Sequence, residues 1–192
     1  MRRLLTACMT VTVALGITTG AWGVDQLLTG KKLLVKSKNG REKIVLISKD
    51  PSIISPAAIG PDPKMAFHPN HPNPPWYPED FPQTWEPTGN GMGWVYKDPT
   101  APTTGPCKVG IIKAGTLLKF VCKDTIAPLP FTSANVAIQV DTDAGVRYCL
   151  QFGGTIKANT NEKYLAKDAP APASCPPVQS PSGAFLDSIA SF

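Results

Sequence analysis

The sequence predicts an all-β fold, an antiparallel sandwich or partly open barrel assembled from hairpins and stapled by two disulfides. Three observations carry the prediction. Runs of alternating apolar and polar residues come in pairs joined by turn residues, the period-2 pattern of half-buried strands. The 21 Pro and 16 Gly among 192 residues argue against a helical bundle or coiled coil. Four cysteines, Cys107, Cys122, Cys149 and Cys175, follow an N-terminal segment that reads as an export signal, and an even set in an exported chain argues for bridges. With 42% hydrophobic and 17% charged residues, the chain is also too apolar for a disordered polyelectrolyte.

Met1-Arg2-Arg3 is a short basic start, Leu4 to Gly20 is nearly all apolar or small, and Ala21-Trp22-Gly23 offers small residues where a signal peptidase reads. Residues 1–23 are expected to be a signal peptide cleaved after Gly23, leaving a β domain over 24–176 and a tail over 177–192. A membrane-spanning helix needs about 20 apolar residues, and this run is shorter and broken by Thr and Gly. Leu5-Thr6-Ala7-Cys8 looks like a lipoprotein box, yet most of the apolar run follows Cys8. No later segment is long enough to cross a bilayer, so the expected location is secreted, periplasmic or extracellular. Losing Arg2 and Arg3 lowers the formal net charge from +5 to +3, too little to argue for a nucleic-acid partner.

Gly30 to Asp50 reads GKKLLVKSKNGREKIVLISKD, two β-type runs around Asn39-Gly40, a strong hairpin signal. With that pair as the turn, 36 faces 43 and 38 faces 41. One face then carries Leu33, Val35, Ile44 and Leu46, and is core. The other carries Lys36, Lys38, Arg41 and Lys43, like charges set opposite each other, which repel. Such a patch is either a solvated outer face or a surface for acidic polymer or lipid headgroups.

Pro51 to Pro106 holds 14 of the 21 prolines. The stretch 61–90 is expected to be a proline- and aromatic-rich loop insertion in polyproline II and turn conformations, since proline removes backbone donors and restricts its predecessor. Seven aromatics, Phe67, Trp76, Tyr77, Phe81, Trp85, Trp94 and Tyr96, fall within 30 residues, which argues for an ordered segment. Gly93 to Lys97 reads as a strand entered through a glycine turn.

Cys107 to Lys113 and Thr116 to Cys122 flank Ala114-Gly115. A two-residue turn there sets Cys107 opposite Cys122, at a hydrogen-bonded pair, with Val109, Ile111, Leu118 and Phe120 on the same face. In the third hairpin, Ala134 to Gly153, Val136, Ile138 and Val140 alternate with polar or small residues, and Val146, Tyr148, Leu150 and Phe152 do likewise. Cys149 therefore points away from the apolar face, available to a segment crossing outside the sheet. Ala169 to Pro177, extended by its prolines, presents Cys175 for that bond. Zinc is the rival use of four cysteines, but spacings of 15, 27 and 26 lack the close ligand pairs of structural zinc sites. Phe185 and Ile189 share a face near the C-terminus, in a run too short for a stable lone helix.

Gly105-Pro106-Cys107, Cys122, RYCLQFGG at 147–154 and AKDAPAPASCP at 166–176, with LLVKSKNGREKIVLISKDPSI upstream, resemble a group of uncharacterised exported bacterial β-rich proteins. Their shared order is GPC...C...YCxxFGG...APAPxxCP. The resemblance spans roughly Leu27 to Pro176 except the proline-rich stretch. It implies an extracellular β-rich module and carries over no catalytic residue.

No catalytic constellation stands out in the sequence, and an enzyme would need a cleft where His68 or His71 meets a carboxylate or hydroxyl. Histidine occurs only at His68 and His71, in HPNH, where a weak metal site competes with solvated loop residues. There is no nucleophile elbow, Walker loop, HExxH or dinucleotide fingerprint. Glu79, Asp80 and Glu86 are the available paired carboxylates and read as solvated. Asp141 to Gly145 opens like a calcium loop but has glycine at the fifth position and Phe152 at the twelfth, so it reads as a turn. Trp76, Tyr77, Phe81, Trp85 and Trp94 either form an exposed aromatic strip or cover the sheet as a satellite core. The expected function is a secreted structural or ligand-binding module without catalysis or cofactor. The alternative is carbohydrate or cell-surface ligand binding through the aromatic loop 67–96, with an extracellular glycan or a surface protein as partner.

Overall fold

A computed structural model describes residues 23–39, 41–68, 77–125, 129–131 and 135–176, without the side chains of 77–80 and of 124 and 125. The residues expected to form the signal peptide, as well as Gly40, His71, Trp76 and the tail, lie outside the described residues.

Every regular element among the described residues is a strand. In chain order they are β1 (Val24–Leu27), β2 (Gly30–Lys38), β3 (Arg41–Ser48), β4 (Lys64–His68), β5 (Tyr77–Asp80), β6 (Trp85–Pro87) and β7 (Gly93–Lys97). Then follow β8 (Cys107–Lys113), β9 (Leu117–Thr125), β10 (Val136–Asp141), β11 (Val146–Phe152), β12 (Thr155–Thr160) and β13 (Lys163–Ala169). A five-stranded sheet runs β1-β11-β10-β4-β5 and an eight-stranded sheet runs β12-β13-β2-β3-β9-β8-β7-β6. All pairings are antiparallel except that of β1 with β11. Neither sheet closes on itself, so the fold is the sandwich and not the barrel. Inward residues of both sheets, among them Leu33, Val35, Ile44, Leu46, Phe120, Ile138, Tyr148, Leu150 and Phe152, merge into one buried cluster.

The first hairpin has the expected register. Lys36 lies opposite Lys43 and Lys38 opposite Arg41, while Leu33, Val35, Ile44 and Leu46 are fully buried. Asn39 adopts a φ of 54°, the left-handed backbone that a tight two-residue hairpin turn requires. At the base of this hairpin, Asp50 accepts from the Thr29 backbone N–H at 2.8 Å and from the Ser52 hydroxyl at 2.6 Å. Burial pushes its carboxyl up, but these hydrogen bonds outweigh it and leave Asp50 at about 2.

The second hairpin corrects the expected register. Lys113 pairs with Leu117, so the loop has three residues, with Gly115 at a φ of 61°. A bulge between Cys107 and Val109 then restores the Cys107–Cys122 pairing and the disulfide. Because of the bulge, Gly110 and Ile112 face the core, while Val109 and Ile111 turn outward and are half-buried. The Lys123 N–H donates to the Pro106 carbonyl at 2.7 Å, just outside the cysteine pair. That makes it a non-hydrogen-bonded site, where the strands approach more closely.

The third hairpin is as expected, Val136 opposite Phe152 and Asp141 opposite Arg147. Cys149 bonds Cys175. Ala169, Pro172 and Pro176 are buried, and Gln139 of β10 donates its side-chain amide to the Pro176 carbonyl. The segment therefore crosses the outside of the five-stranded sheet. Asp141 to Gly145 is the hairpin turn, with Asp143 and Gly145 at φ of 52° and 80°.

The stretch 61–90 is not the surface loop expected from its prolines. It supplies strands to both sheets, and β4 is an interior strand between β10 and β5. The reason is spacing: KMAFH lies between Pro63 and Pro69 and keeps all its backbone donors. Pro78 and Pro87 sit in β5 and β6, the outermost strands of their sheets, where a missing N–H costs no ladder bond. His68 correspondingly ends β4 opposite Ala137, 2% exposed, instead of standing in solvent.

Two disulfides belong to an oxidising, extracellular or periplasmic compartment. No helix among the described residues is long and apolar enough to cross a membrane.

Candidate functional site

Strand alternation sends every second residue of β13, β2, β3 and β9 to the outside of the eight-stranded sheet. Pairing then aligns these residues in rows across the strands. Lys163 lies opposite Lys36, Lys36 opposite Lys43 and Lys43 opposite Lys123, a row of four lysines, one per strand. Beyond it stands the Lys38–Arg41 pair at the hairpin end. On the other side, Leu165, Leu34, Val45, Val121 and Val109 form an apolar row. A second basic row, Lys167, Lys32 and Lys119, interrupted by Ile47, follows. All five residues of the apolar row are half-buried, as expected where lysine stems lie over apolar neighbours.

Among the described side chains, those of Glu42 and Asp168 do not join the four-lysine row. Glu42 occupies the opposite parity of β3, pairs with Ser37 and accepts its hydroxyl at 3.0 Å. Asp168, at the far end of β13, takes the Lys31 ammonium at 2.6 Å. The Lys31 hydrogen bond, with the charges of Lys31, Lys167 and Lys157 nearby, holds the Asp168 carboxyl below the usual range, which reports a positive field at that corner. The side chain of Asp124, at the β9 bulge opposite Glu42 and Lys43, lies outside the described residues. The other ion pairs among the described residues, Lys64–Asp62 and Arg147–Asp25, sit on the five-stranded sheet and its flanking loop.

Lys36, Lys38, Arg41 and Lys43 are thus brought together as anticipated. Lys123 and Lys163 were missed. Their signal was present, because Lys163, Leu165 and Lys167 alternate with the buried Tyr164 and Ala166, but nothing local pairs β13 with β2.

The aromatic residues divide differently from an exposed strip. Phe81 and Trp85 are 4% and 7% exposed. Their rings pack with Tyr96 and Phe120, with centroids 5.2 Å apart for Phe81–Tyr96 and 5.4 Å for Trp85–Tyr96. Gly110 permits this, since a Cβ there would overlap the Trp85 ring. These two residues are core, and both rings also pack on Phe120 of β9. Trp94 is half-buried and donates its indole N–H to the Pro56 carbonyl at 2.9 Å. It borders a groove of about 470 Å³ whose walls include Ile59, Asp62, Gln83, Thr84 and Trp85. Trp76 and the Tyr77 side chain lie outside the described residues, as does the His71 partner proposed for His68.

No family model, curated protein or solved structure matches this chain. Function is therefore argued from the chemistry of the surface.

Proposed function

We propose that this protein is an exported, disulfide-stapled binding module that holds an anionic partner against the outer face of its eight-stranded sheet. The observation that carries the reading is the row Lys163–Lys36–Lys43–Lys123, aligned in register. Directly opposed like charges each cost roughly 0.2–1 kcal/mol in a sheet, so a face that served only solubility would gain by mixing signs. An anion bound along the row removes that repulsion. Export is supported by the basic and apolar leader, by the two disulfides and by the resemblance to exported bacterial β-rich proteins. The test is retention of the natively purified protein on a sulfated matrix and on vesicles containing anionic lipid, against neutral matrix and neutral vesicles. The reading predicts salt-sensitive retention on at least one charged surface, and absence of retention on both defeats it.

A second reading has its own observation. The groove beside Trp94 sets a half-buried indole next to Asp62, Gln83 and Thr84, a mixture of ring face and hydrogen-bonding groups suited to a neutral sugar. It predicts glycan-array signals that disappear in Trp94→Ala. A flat array with wild-type protein removes it.

A further inference from the structure

Building on the basic-face reading, we infer that the ligand is a linear polyanion, a phosphate- or sulfate-bearing polymer lying across the strands along Lys163, Lys36, Lys43 and Lys123. Three features favour a polymer over a membrane surface.

The first is the line itself. Neighbouring strands lie about 4.8 Å apart, so the four lysines mark a track of about 14 Å with one cation per strand. A chain with regularly spaced anions meets such a track group by group. The second is twist. Adjacent strands rotate by roughly 20–25°, so the first and last lysines point about 60–75° apart. A bilayer is planar on this scale and meets only part of the row, whereas a flexible chain follows it. The third is the apolar row about 7 Å away along the strands. Leu165, Leu34, Val45, Val121 and Val109 are half-buried, and among the described residues the large apolar side chains that do protrude, Val24, Ile54 and Met92, belong to none of these strands. No residue of this face is placed to enter a hydrocarbon layer, and what remains is a strip that a polymer backbone can lie against.

The row contacts anions through charge, so affinity falls with salt in proportion to the number of contacts. For a single-stranded polyanion the slope of log K against log salt is about −0.7 per neutralised group. The experiment uses the full natively purified chain, long-chain inorganic polyphosphate and dextran sulfate as polymers, tripolyphosphate as a short competitor, and vesicles containing anionic phospholipid. Two variants carry equal charge loss. One is Lys36→Gln/Lys43→Gln/Lys123→Gln/Lys163→Gln, on the row. The other is Lys49→Gln/Lys64→Gln/Lys113→Gln/Lys157→Gln, off it. Circular dichroism and thermal melts verify that both are folded.

The expected result is polymer binding that the row variant weakens at least tenfold, with a salt slope shallower by about 3, while the off-row variant keeps a near wild-type slope. Tripolyphosphate, too short for the track, competes weakly. Equal loss in both variants overturns the inference, because the polymer then reads net charge and not the row. Binding to vesicles without binding to either polymer overturns it too, yet leaves the basic-face reading standing. Binding to neither polymer nor vesicle ends both.

Discussion

On the five-stranded sheet the outward residues Ala137, Gln139 and Cys149 are buried, crossed by the segment that ends at Pro176 and pinned by the Cys149–Cys175 bond. On the eight-stranded sheet the outward residues Lys36, Lys38, Arg41 and Lys43 are exposed, and neither disulfide lies across them. The part of the five-stranded sheet's outer face around Cys149 is small, uncharged and sealed by the chain itself, and that face's charged residues, Asp25, Arg147, Asp141 and Lys64, alternate in sign across the strands. The other is basic and open. A patch built of Ala, Gln and Cys loses little by being covered, whereas covering a row of ammonium groups would demand counter-charges beside them. On the binding reading proposed above, the basic face is the one that meets a partner.

The comparison is broken or sharpened by four measurements. The largest effect belongs to the interior that both sheets share. Trp85→Ala should cost about 3–5 kcal/mol in denaturant unfolding, the range for a large aromatic removed from a core. A loss below about 1 kcal/mol would return Trp85 to the surface and to the ligand-binding strip.

Next comes the seal. Cys149→Ala/Cys175→Ala closes no 26-residue loop in the unfolded chain and should lose about 3 kcal/mol. Limited proteolysis should then cut between Ala169 and Pro176 before any other described segment. Unchanged protection there would mean that the covering segment is held by packing alone.

The third measurement concerns the rim, where Asp50 joins the start of β2 to the turn after β3. Its carboxyl stands at about 2 in the folded protein against 3.8 for a free aspartate. A depressed folded value stabilises the protein fully above about pH 4 and loses that contribution as pH falls from about 4 toward 2. Asp50→Asn should therefore be less stable than wild type at pH 7 and converge with it at pH 2. Parallel acid-unfolding curves for the two proteins would refute the linkage.

The smallest effect has the opposite sign. Lys43→Gln relieves repulsion with both Lys36 and Lys123 and should raise stability by roughly 0.2–1 kcal/mol at low salt, a gain in Tm of about 1–3 °C. In 1 M salt, where the screening length is about 3 Å, the difference from wild type should vanish. A destabilised variant at low salt would show that the row is already compensated within the fold.

Much of this fold was legible because it is local. Asn39-Gly40 between alternating runs determined the first register, and with it the opposed Lys36/Lys43 and Lys38/Arg41 pairs. The outward parity of Cys149 and the extended Ala-Pro run carrying Cys175 led to their bond. The second hairpin was misread one residue at a time: a three-residue loop in place of two, compensated by a bulge, swapped Val109 and Ile111 for Gly110 and Ile112 as the inward pair. Turn length and bulge cancel at the cysteines, so the disulfide was right while the residues between were inverted. In the proline-rich stretch, proline density over the whole segment points to a loop, whereas strand formation depends on the few residues between prolines.

By itself the sequence determined the class of the fold, both disulfides and the inward face of the first hairpin, since period-2 alternation, turn chemistry and cysteine parity all act over short chain separations. Only the tertiary structure decided that β13 would lie beside β2 and β9 beside β3, which extends the Lys36/Lys43 pair into a row of four. It also decided that Phe81 and Trp85 would fill the end of the core. The lysine row depends on which strands become neighbours across more than 70 residues of chain and the aromatic cluster on contacts across 11 to 39, choices made by burying both sheets' apolar faces together and written in no single segment.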